Sequence, residues 1–274
     1  MLRITVLLLY VGAMFLLGNS ALKRTTGTPK HRLGTAFVGL GVLLHGYWLY
    51  RAIHVDGGLA LGATNMSSML GWLTAWIALF LSRNERMVGL SSLLLSIALV
   101  GIATSYLPLG EPVLADVTWQ LASHILISIT AYSLLGIGAL MAVAIALQDA
   151  RLRNRKPSGW LLMLPSLEEM EQILFSILSM GFVLLTLSLF SGLIFVDNLL
   201  AQHLAHKTVL SVMAWLVFAT LLVGRWRRGW RGKKAVYMAL VGFVFLALAY
   251  FGSKLVLETI LSSHWSLPGA LTGS

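Results

Sequence analysis

Four histidines, His45, His124, His203 and His206, carry the chemistry that this chain can offer a ligand. His203 and His206 stand three residues apart in the polar break Asp197-Asn198-Leu199-Leu200-Ala201-Gln202-His203-Leu204-Ala205-His206-Lys207. At that spacing the two imidazoles share one helical face if the helix after the break begins early. An imidazole lone pair ligates iron or zinc and also passes protons, and neighbouring carboxylates decide between these roles. The apolar runs contain no Asp or Glu, which disfavours a hard-cation cage and a proton relay through mid-span acids. Three readings stay open from the residues alone: haem iron, zinc or another metal, and imidazoles that are hydrogen-bonded parts of a helical core.

The elements that must position these rings are membrane spans. Of 274 residues, 58% are hydrophobic and 11% charged, against about a quarter charged in ordinary globular proteins. The runs flanking the polar break, 173–196 and 208–223, are apolar on every side of the helical wheel, which no surface helix of a soluble protein tolerates. Windows of about 20 residues, the length that crosses a bilayer, predict eight spans, near 4–22, 33–53, 66–82, 87–107, 119–148, 173–196, 208–224 and 235–257. The expected class is therefore all-α, one polytopic transmembrane domain over 1–274. The first run reads as a retained span rather than a cleaved signal peptide, because no Ala-x-Ala-like site follows it.

Charge sets the expected topology. Sixteen of the 20 basic residues fall in four loops on one side, and Arg3, Arg51, Lys207 and Lys254 lie at or near the other. The positive-inside rule makes the sixteen cytoplasmic, so both termini and the His203/His206 break are expected outside. The net charge of +10 is thus a topology signal and not a nucleic-acid footprint. Arg225-Trp-Arg-Arg-Gly-Trp-Arg-Gly-Lys-Lys, which has the look of an RNA- or lipid-binding patch, reads more simply as a stop signal anchoring a short hairpin. No cysteine is present, which excludes disulfides, thiolate ligands and thiol–disulfide exchange.

Depth then sorts the histidines. His124 lies about one and a half turns into the fifth span and shares the outer depth with His203 and His206, while His45 is inside the second span. His54 ends that span as an interfacial residue, and His31 and His264 are expected to be solvated. Ser166 and Glu169 have capping-box spacing at the start of span six, and 158–172 is expected to lie at the interface. Gly136, Gly138 and Ala139 permit close helix packing.

Three blocks, Gly181-Phe182 through Ser191-Gly192-Leu-Ile-Phe, Lys207-Thr-Val-Leu-Ser-Val-Met-Ala-Trp215, and Gly229-Trp230-Arg-Gly-Lys-Lys-Ala, stand out. They resemble the cytochrome c assembly family of CcsA/CcmC-type haem-handling proteins. Asn65-Met-Ser-Ser-Met-Leu-Gly-Trp72 is similar to the stretch entering the family's third span, without its Glu. His45 followed by Arg51, and His124 followed by Tyr132, also match the family's pattern. Where haem synthetase members carry a Trp-rich outer loop, this chain reads Gln202-His203-Leu-Ala-His206-Lys207-Thr208. It thus resembles the shorter branch of HemX-like and YpjD-like inner-membrane proteins.

The resemblance implies a core of about 37–258 in a bacterial inner membrane and a haem b cofactor. It makes His124 and His206 the preferred outer iron ligands, with His203 as substitute for His206, His45 as a site within the membrane and Lys207 facing the propionates or lipid headgroups. The implied role is haem handling, or partnership with another inner-membrane or cytochrome assembly protein, rather than bond-forming catalysis. The competing readings are a membrane scaffold and a small-solute or ion transporter, neither with haem.

Overall fold

A computed structural model describes residues 1–23, 25, 27–56, 58–60, 62–107, 113–114, 117–153, 164–195 and 202–249. Eight α-helices run through these residues: α1 Leu2–Lys23, α2 Pro29–Ile53, α3 Ala63–Ser82, α4 Val88–Ala103, α5 Trp119–Arg153, α6 Leu167–Phe195, α7 Gln202–Arg228 and α8 Lys233–Ala247. Six helical stretches are long and apolar enough to cross a membrane, namely 2–23, 29–53, 85–106, 119–153, 167–194 and 207–228. Neither α3 nor the described part of α8 is among them. α3 carries Asn65, Ser67, Ser68 and Thr74 and packs against α2, α4 and α5.

The helices form two groups. In the first, α1 packs on α2 and α4, and α3 on α2 and α4; in the second, α5 packs on α6 and α8, and α7 on α6 and α8. Contact between α3 and α5 joins the groups. Small residues let backbones approach where no hydrophobic drive between helices exists. A Cβ on Gly101 of α4 would stand 2.7 Å from the Cα of Gly71 in α3, so these helices meet backbone to backbone. Gly138 of α5 receives Leu178 of α6, and Gly136 receives Phe243 of α8.

The helix ends follow local chemistry. Pro29 opens α2, and the Thr28 hydroxyl accepts from the His31 amide at 3.4 Å. Ser166 and Glu169 form the anticipated capping box: the Glu169 carboxylate accepts from the Ser166 amide at 3.1 Å, and the Ser166 hydroxyl accepts from the Glu169 amide at 3.3 Å. Residues 158–163, which precede it, lie outside the described residues. The basic run does form a hairpin between α7 and α8. Gly229 and Gly232, both at φ 64°, supply left-handed turns, and the Trp230 ring sits against Gly224 and under Lys234 Nζ at 3.4 Å.

Three features depart from the sequence reading. His31 is buried, not solvated: its Nδ1 accepts from the Gly27 amide at 3.1 Å and its Nε2 donates to the Ser82 carbonyl at 2.9 Å, tying α2 to α3. The seventh helix, expected among the shortest, runs 27 residues because the polar break is helical from Gln202 onward. A small antiparallel sheet, β1 His54–Val55, β2 Gly58–Ala60 and β3 Val113–Leu114, caps the end of the bundle where α2 finishes. The strands are too short to give a period-two signal.

Candidate functional site

At the end of the bundle where α5 and α7 begin and α6 finishes, a cavity of about 360 Å³ lies among α3, α5, α6, α7 and the end of α8. Its size is at the low end of ordinary ligand sites, which run from roughly 300 to 1,000 Å³. Met66, Ile125, Ile129, Leu185, Leu189, Leu193 and Val212 make its wall mainly apolar. The polar groups on it are His124, Ser128, Tyr132, Ser188, Lys207, Thr208 and Ser211.

These polar groups are placed by helical repeats. His124, Ser128 and Tyr132 recur every four residues and so share one face of α5. Ser188 and Ser191 sit three apart on α6, and Ser211 and Trp215 four apart on α7. Each α5 residue meets a partner across a helix boundary. His124 Nδ1 is 2.8 Å from Ser191 Oγ, Ser128 Oγ is 2.7 Å from Ser188 Oγ, and Tyr132 Oη is 3.1 Å from Ser211 Oγ. Between α6 and α7, Trp215 Nε1 donates to Thr186 Oγ1 at 2.9 Å while its ring stacks on Phe182. A seam of hydroxyls thus lines an otherwise greasy wall.

Of the predicted site residues, His124 and Lys207 line this cavity. His203 and His206 belong by backbone to the opening turns of α7, immediately before Lys207, and their side chains lie outside the described set. His45 does not line it. Its ring is fully buried, with Nδ1 3.2 Å from Tyr10 Oη on α1 and Nε2 2.9 Å from Ser68 Oγ on α3. Asn65 and Trp72 of the family-like stretch bind α3 to its neighbours, through the carbonyls of Ala60 and Ala52 and of Val42.

Sequence reading missed Ser128, Ser188, Ser191 and Ser211 as parts of the site. Their signal was present as hydroxyls spaced three or four apart in otherwise apolar spans. A cluster of three or more His, Asp or Glu side chains able to cage a metal ion is absent among the described residues. A planar, apolar, two-ended ligand such as haem suits the donors: one ring nitrogen on an apolar wall, with a lysine at the rim.

A helical bundle with spanning helices and a histidine-lined cavity near one end defines a multi-pass membrane protein. Residues 60–261 match the family described as cytochrome C assembly protein, and the chain belongs to that family. It is 31% identical over 257 residues to the inner membrane protein YpjD of Escherichia coli (strain K12), covering 93% of this chain and 97% of the relative. It is 26% identical over 170 residues to the cytochrome c biogenesis protein CcsA of Parasynechococcus marenigrum (strain WH8102), covering 54% of this chain and 56% of that protein. No solved structure matches it. The chain is a multi-pass inner-membrane protein.

Proposed function

We propose that this protein binds haem b in the cavity between α5, α6 and α7 and serves haem handling in cytochrome c assembly, without catalysing bond formation itself. The observation that carries the reading is His124 on an apolar cavity wall, facing the helix whose opening turns bear His203, His206 and Lys207. Membership of the cytochrome C assembly family supports it, as does similarity to a protein named for cytochrome c biogenesis.

In this reading His124 and His206 would hold the haem iron, with His203 the substitute for His206, and Lys207 would bind the haem carboxylates. Bound there, the iron supplies reversible one-electron chemistry. The chain's own residues do the rest: the leucine and isoleucine wall excludes water, and the serines orient the ring of His124. For His45 to bind haem it must release Tyr10 or Ser68, so a second site within the membrane needs a rearrangement of α1 or α3. The unidentified protein partner is an inner-membrane or cytochrome assembly protein that receives or supplies the haem.

The test is the visible spectrum, oxidised and reduced, of detergent-purified protein expressed with ample haem. A Soret band in the parent that is lost or shifted in His124→Ala and in His206→Ala is the expected result. A colourless parent transfers the weight to a scaffold role, which needs no cofactor and survives loss of the histidines.

A further inference from the structure

The hydroxyls beside His124 can be oriented one by one, because each carries a single proton. Ser128 Oγ donates to the His124 carbonyl one turn back, at 2.6 Å. Its proton is spent there, so the 2.7 Å contact with Ser188 is a bond donated by Ser188. Ser191 Oγ likewise donates to the Ser188 carbonyl at 3.0 Å. With that proton on the carbonyl, the ring is the donor in the 2.8 Å contact between Ser191 Oγ and His124 Nδ1. The bonds close a circuit between α5 and α6: from the Ser188 hydroxyl through Ser128 to the His124 backbone, and from the His124 ring through Ser191 to the Ser188 backbone.

We propose that Ser191 is a positioning residue that holds neutral His124 in its Nδ1–H tautomer and so presents an unprotonated Nε2 on the cavity wall, ready to ligate a metal. Neutral histidine in water prefers the opposite tautomer, with the proton on Nε2, so the state is imposed by α6. Gly192, the next residue, leaves the ring its place: a Cβ there would stand 3.2 Å from His124 Cε1. A hydrogen bond from the non-ligating nitrogen fixes ring orientation and raises ligand basicity, which is how outer partners tune metal sites. The consequence for a ligand rests on the haem reading above, whereas the tautomer itself does not.

The experiment therefore has two arms. In the first, haem-free protein labelled with ¹⁵N-histidine is studied by long-range ¹H–¹⁵N correlation at about pH 8.5, well above the ordinary imidazole pKa of about 6.5, with His124 assigned by its loss in His124→Gln. The expected result is Nδ1–H in the parent and in Ser191→Thr, and Nε2–H or a mixture in Ser191→Ala. Nε2–H in the parent, or Nδ1–H retained in Ser191→Ala, overturns the proposal.

In the second arm haem is titrated into the same proteins. Ser191→Ala is expected to weaken binding about 10- to 100-fold, with Ser191→Thr close to the parent. Equal affinity in parent and Ser191→Ala removes the positioning role. A parent that binds no haem ends the haem reading and leaves the first arm to decide the tautomer.

Discussion

At the scale of single residues, two histidines deep in apolar helices have opposite fates. His45 has both ring nitrogens engaged inside the helical core, whereas His124 lines a cavity with its Nδ1 bonded to Ser191. Replacing His45 by Ala strands Tyr10 and Ser68 without partners, which costs about 1–3 kcal/mol per buried group. A lowered thermal midpoint in detergent checks this, with the Soret band of the remaining folded protein unchanged. Gly192→Ala acts the other way. It crowds the His124 ring at 3.2 Å, so haem affinity falls while the thermal midpoint stays near the parent value. Position along the spans set His124 apart from His45 by depth, but not by which ring is locked into the core and which lines a cavity. The latter depends on which neighbours arrive from α1, α3 and α6, and no pattern local to a histidine encodes them.

At the scale of elements, glycine contacts hold the bundle where apolar burial gives no drive between helices. Gly101→Leu drives a side chain into the backbone of α3 and is expected to cost at least the 1–3 kcal/mol typical of overpacking. A lower midpoint of thermal unfolding, compared with Leu substituted at the lipid-facing Val100, checks it. The capping box at Ser166, the hairpin after α7 and the close packing at Gly136 and Gly138 were all legible, since each depends on residues a few positions apart or on side-chain size alone. The sheet over 54–55, 58–60 and 113–114 was not, because its strands are two or three residues long and the third comes from a segment more than fifty residues away. The early start of α7 was legible only as a condition on the spacing of His203 and His206.

At the scale of the molecule, the charge pattern assigns each loop an expected side, and the chain offers an unusually clean way to test that assignment. It has no cysteine of its own, so a single introduced thiol is the sole target of a maleimide. Val117→Cys, before α5, is expected to react with an impermeant maleimide in intact cells, and Arg231→Cys, between α7 and α8, only after lysis. The reverse pattern inverts the topology and turns the cavity toward the cytoplasm. Fold class and family could be read from hydropathy and a few blocks, but the pairing of helices into two groups joined through α3 and α5 could not. The bond between α1 and His45 also bears on biosynthesis. Tyr10 precedes His45 by 35 residues, and Ser68 follows it by 23. As the chain leaves the ribosome, the imidazole enters the bilayer after its first partner and before its second. The leading helix therefore acts as an escort, shielding one ring nitrogen from lipid until the third helix is made.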